Sequence, residues 1–225
     1  MKLKKEFHSR SKFFACLLTF CAGFIDAYTF IERGGTLVAG QTGNVVLLSV
    51  AMTRHNINQT EVKIASMVSF MLGIFLFTVF QHYFQKSWWR LASLFPLIAV
   101  CAFVGTLPKD VANVYIVPPL AFCMGLVATA FGEVGGIAYN NAFMTGNIKK
   151  TMVALGMFIR TKEKNYLKEG SFFASLLGSF VLGAIISAYF VQMYSLKTIY
   201  FVVILLLIFL LFRFGQYIFL KKHFS

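Results

Sequence analysis

The chain has 225 residues, of which 58% are hydrophobic and 13% charged, and its mean hydropathy is +0.74. An average soluble domain is about 25% charged, so a soluble globular fold is excluded and an integral membrane protein remains. Lys and Arg number 21 against 8 Asp and Glu, but the basic residues sit in loops and tails, where they set orientation and meet lipid head groups rather than nucleic acid.

The basic N-tail (Lys2, Lys4, Lys5, Arg10, Lys12) precedes an apolar run at Phe13–Ile31. That run contains Asp26 and ends without a small-x-small cleavage site, so it reads as a retained first span rather than a signal peptide. Further spans are expected at Ile64–Phe84, Leu91–Leu107, Tyr115–Phe131, Gly170–Tyr194 and Thr198–Leu220, each near the ~20 apolar residues that a crossing helix needs. Trp88 and Trp89 sit between the second and third, as in an interfacial aromatic belt. Two shorter apolar segments, Val45–Met52 and Ile148–Ile159, suit half-helices that enter the bilayer and return.

With six spans and the N-terminus inside, sixteen basic residues fall on the cytoplasmic side and five (Arg33, Arg54, Lys63, Lys109, Lys197) on the other. Both termini are therefore expected in the cytoplasm.

Thr42-Gly43-Asn44 opens the first short segment, and Thr145-Gly146-Asn147 opens the second 103 residues later. A Gly-Gly pair precedes each, Gly34-Gly35 and Gly135-Gly136. Each half reads as span, glycine-rich loop, short helix, span, span. Three spans per half is odd, so the second half is inverted relative to the first, a plan that recurs in secondary transporters. The expected fold is all-α, with six transmembrane helices in two inverted three-helix repeats and a re-entrant half-helix opened by TGN in each. The repeats cover 13–110 and 111–221, between an N-tail at 1–12 and a C-tail at 222–225.

The stretch Ala22-Gly23-Phe24-Ile25-Asp26-Ala27-Tyr28, then Gly40-Gln41-Thr42-Gly43-Asn44 and a second TGN, resembles the YoaK-type family of bacterial polytopic membrane proteins, a domain of unknown function. The resemblance covers nearly the whole chain. It implies a bacterial inner-membrane protein with about six spans and supplies no activity, substrate or catalytic residue.

The residues themselves carry the functional expectation. Thr42 and Thr145 can cap a helix by accepting a backbone N–H, Gly43 and Gly146 permit close approach, and Asn44 and Asn147 offer both donor and acceptor. Two half-helix N-termini meeting at the midplane would form a site for a small polar or anionic solute. Asp26, ionisable within a span, either couples transport or caps the facing half-helix. Glu133, Lys149 and Lys150 are further charge candidates: Lys149 and Lys150 either lie deep beside an anion or snorkel to the interface. Cys16, Cys21, Cys101 and Cys123 read as apolar packing residues, and the four histidines are too scattered for a metal site. No nucleophile-and-base constellation is visible, so neither an enzyme nor a cofactor is expected. The partners expected are the lipid bilayer and the solute, with a homo-oligomer left open. The alternative is a non-transporting membrane scaffold or partner protein.

Overall fold

A computed structural model describes residues 2–81 and 88–224, with side chains over 12–81 and 90–213. His82, Phe84 and Lys86 lie outside the described residues, as do the side chains of Trp88, Trp89 and most of the basic tails, so the aromatic-belt expectation falls outside them too.

The fold is mostly helical. Helix α1 (Lys2–Glu32) takes in the basic N-tail without a break. It is followed by α2 (Gln41–Thr53), α3 (Ile57–Gln81), α4 (Trp88–Ala92), α5 (Leu94–Val104) and α6 (Val117–Ala130). After α6 come α7 (Met144–Thr161), α8 (Lys164–Tyr194) and α9 (Tyr200–Phe224). Four segments are long and apolar enough to cross a membrane: Lys12–Glu32, Ile57–Gln81, Asn113–Ala130 and Lys164–Arg213. The last holds two helices. The chain turns at Ser195–Ile199, where Ser195 adopts φ 48°, and Phe201 of α9 returns onto Phe190 of α8 with ring centroids 5.3 Å apart.

Three expectations are corrected. The third apolar run does not form one span-length helix. It is divided at Ser93, because Pro96 has no N–H to offer the carbonyl of Ala92 and the Ser93 hydroxyl donates to Arg90 O at 2.7 Å. The 11 residues of α5 extend only about 16 Å. Next, α7 is 18 residues long, well beyond the Ile148–Ile159 apolar run, because it opens at Met144 and continues to a left-handed stop at Lys162. Finally, the described residues are not purely helical. A two-residue hairpin pairs β1 (Glu133–Val134) with β2 (Ile137–Ala138), and both turn residues, Gly135 and Gly136, take positive φ as the tight hairpin turn requires.

Backbone contact fixes how the long helices pair. A side chain at Gly23 in α1 would strike the carbonyl oxygen of Phe180 in α8, and one at Gly183 in α8 would strike that of Phe20 in α1. The relation repeats between α3 and α6, where Gly73 lies on Phe122 O and Gly125 on Phe70 O. Small residues at helix crossings let the backbones meet, the main source of packing energy where lipid removes the hydrophobic drive. The core fills the space between these pairs, with Phe24, Ile25 and Tyr28 of α1, Cys101 of α5, Leu120 and Ala121 of α6 and Val202 and Leu206 of α9 all fully buried. The loops that open α2 and α7 both reach the α1–α8 crossing.

Candidate functional site

Asp26 sits well inside the apolar part of α1 with its side chain buried. One carboxylate oxygen accepts from the backbone N–H groups of Val38 (2.8 Å) and Ala39 (2.7 Å), and the other accepts from Gly40 (2.9 Å). Gly40 is the residue from which α2 springs. A helix end buried in an apolar medium leaves N–H groups that only protein can satisfy. A charged acceptor does so with hydrogen bonds about twice as strong as neutral ones. Of the two roles expected for Asp26, these bonds bear on the structural one, since they hold Val38, Ala39 and Gly40, the stretch that leads into α2.

The threonines of both TGN tripeptides do not cap, which corrects the sequence reading. α2 opens at Gln41 and α7 at Met144, so Thr42 and Thr145 are each the second helical residue, with exposed side chains. The asparagines do the bracing. The side-chain carbonyl of Asn44 accepts from Leu37 N–H (2.9 Å), while its amide donates to Leu37 O (2.6 Å) and to Gln41 Oε1 (2.9 Å). Leu37 is thereby held as a strand partner would hold it. α3 adds a second brace, since Ser66 donates to Leu37 O (3.1 Å) and the buried Lys63 ammonium lies 3.4 Å from the Thr36 hydroxyl.

The second half repeats the clamp. Asn147 donates to Asn140 O at 2.7 Å, again seven residues back. Asn140 stands 103 residues after Leu37, so the duplication seen in sequence extends to this hydrogen bond. Asp26 has no acidic counterpart there. The Asn140 side-chain carbonyl replaces it, accepting from Ala142 (2.8 Å) and Phe143 (3.0 Å). Sequence reasoning missed Asn140, although an Asn able to bond the backbone two residues on was a legible signal.

The N-termini of α2 and α7 border one crevice of about 400 Å³ beside the α1–α8 crossing. It brings together Asp26, Thr42, Gly43 and Thr145 with the rings of Phe30, Phe143 and Phe180. Asn44 and Asn147 do not line it. Both are buried with their amides turned to their own loops, which corrects their expected place on the site wall. Gly146 is also absent from the wall. Glu133 is exposed on the hairpin, and Lys149 and Lys150 are exposed on α7. None of the three reaches the crevice. The Lys150 ammonium donates to Ala138 O and lies 5.0 Å from the Phe173 ring centroid, so it ties α7 to the hairpin and to α8. A larger groove of about 550 Å³, walled by α3, α5 and α6, is uncharged and touches neither TGN loop.

At the far end of α1 lies a second polar cluster. Arg33 is fully buried and donates to the carbonyls of Pro108 (3.1 Å), Leu107 (3.0 Å) and Val104 (3.4 Å), which closes the C-terminus of α5. Glu32 pairs with Lys109 at 3.1 Å and accepts from Ser195 at 3.3 Å. Tyr28 donates to Leu196 O at 3.2 Å. These bonds join α1, the end of α5 and the α8–α9 turn. Among the described residues no group of three or more His, Cys, Asp or Glu side chains could hold a metal ion.

Residues 14–212 match a family described as a protein of unknown function, DUF1275. The chain belongs to this family. It is also similar to the UPF0700 transmembrane protein YoaK of Bacillus subtilis (strain 168), 21% identical over 184 residues that cover 76% of this chain and 80% of that protein. No solved structure matches. The match to a transmembrane protein and the four span-length segments together make this a multi-pass membrane protein.

Proposed function

We propose that this chain is a bacterial inner-membrane transporter or channel that passes a small polar solute through the crevice between its two TGN loops. The observation that carries this reading is the crevice itself, walled from both halves of the duplicated motif by Thr42, Gly43 and Thr145 beside Asp26. A pair of helix ends used only for packing has no need to leave space between them.

In this reading α1, α3, α4–α5, α6, α8 and α9 are the six spans, α2 and α7 are the re-entrant helices, and the halves are inverted repeats. The reciprocal glycine contacts support it, since α1 meets α8 as α6 meets α3. In this reading both termini lie in the cytoplasm, which the excess of basic residues on that side supports. A C-terminal green fluorescent protein fusion should fluoresce, and an alkaline phosphatase fusion at the same point should be inactive.

The two lysines that would have favoured an anionic solute, Lys149 and Lys150, lie outside the crevice, and the carboxylate of Asp26 lines it instead. The test is flux into proteoliposomes across a panel of amines, alcohols, sugars and small acids. Thr42→Trp and Thr145→Trp, which fill the crevice from exposed positions, should cut flux at least about tenfold while protein yield holds. No solute-dependent flux from folded protein across the panel would overturn the reading. The non-transporting scaffold draws on one observation: the Asn44 and Asn147 amides are engaged by their own loops.

A further inference from the structure

Resting on that reading of the crevice, we infer that it takes a protonated amine carrying an apolar body. Among the described residues of its wall, Asp26 supplies the one formal charge, and no Lys, Arg or His is present. Phe30, Phe143 and Phe180 supply three aromatic rings, contributed by α1, the α7 loop and α8. A carboxylate and aromatic residues sharing one wall are the groups that recognise an ammonium, through ion pairing and cation–π attraction.

The carboxylate accepts three N–H bonds, and two ionised oxygens offer about four acceptor positions, so these bonds do not exhaust its capacity. The helix ends alter the balance without reversing it. Each N-terminus contributes about half a positive charge. The Asp26 end of the crevice therefore stays negative by about half a charge, and the Thr145 end is positive by a similar amount. The crevice is dipolar with its negative pole at Asp26, which seats an amine there. Apart from Thr42 and Thr145, the remaining wall residues, among them Ala27, Ile31, Leu37 and Met144, are apolar and suit a hydrocarbon body.

The test uses three probes of one shape: phenethylamine, 2-phenylethanol and phenylacetate. Binding to the full chain in nanodiscs is measured by calorimetry, and uptake of each probe is measured in proteoliposomes. Phenethylamine should bind saturably and at least about tenfold more tightly than either of the other two. Phe143→Leu with Phe180→Leu should weaken it several-fold, while Gly178→Ala, at a position that faces open space, should leave it unchanged. Equal or tighter binding of the alcohol or the acid overturns the inference, as does the absence of binding by any probe. Undiminished amine binding in the double Phe variant also overturns it. Saturable amine binding without uptake leaves the inference standing and removes the transport reading. Uptake of the alcohol or acid without preference for the amine does the reverse.

Discussion

The bond set at Asp26 predicts that its removal loosens the start of α2. In Asp26→Ala, the N–H groups of Val38, Ala39 and Gly40 lose their acceptor together. An orphaned buried donor costs about 1–3 kcal/mol, so the loss should be about 3–6 kcal/mol once partial relaxation is allowed. Asp26→Asn keeps one carbonyl oxygen for Val38 and Ala39 but turns an NH2 group toward Gly40, so it should cost less, about 1–3 kcal/mol. Thr42→Ala removes an exposed hydroxyl that caps nothing and should stay within about 0.5 kcal/mol. Thermal unfolding in detergent, with monodispersity as a control, reads all three. At ~2–4 °C per kcal/mol for a chain of this size, Asp26→Ala should lower the midpoint by roughly 6–24 °C. The reasoning fails if Asp26→Ala melts with the wild type, or if Thr42→Ala is the more damaging of the two.

Three further outcomes are expected. Gly23→Ala should destabilise by about 1–3 kcal/mol by forcing α1 off the Phe180 carbonyl, whereas Gly178→Ala, with open space around it, should be neutral or stabilising by up to about 1 kcal/mol; the same melting assay checks both. Asn140→Ala should cost about 1–2 kcal/mol through loss of the acceptor for Ala142 and Phe143, and hydrogen exchange should quicken at the start of α7 rather than of α2. Arg33→Lys keeps the buried charge but cannot reach three carbonyls with a planar fork, so it should lower stability by about 1–3 kcal/mol and raise protease sensitivity around 104–110.

The membrane class followed from charge content, and five helices near the expected runs followed from hydropathy alone, because an apolar medium leaves a long apolar segment few choices but helix. The division at Ser93 was also readable, since Pro96 is visible in sequence, but the length of the apolar run outweighed it. The TGN duplication marked where α2 and α7 open and misassigned what holds those openings. A tripeptide shows which groups are available, not where their partners lie. The acceptor for the first opening comes from Asp26, fourteen residues upstream of Gly40, and the clamps run seven residues back along each loop.

Sequence by itself therefore determined the solvent the protein lives in, its helical content and the duplicated TGN tripeptide. These depend on composition and local period, which are properties of single segments. Only the tertiary structure decided what the motif residues do. It turned Asn44 and Asn147 into the loops, left Thr42 and Thr145 at a crevice, and set Lys149 and Lys150 apart from it. Those outcomes depend on the close approach of α1 and α8 at Gly23 and Gly183, residues 160 positions apart, and no local pattern encodes a distance across the fold.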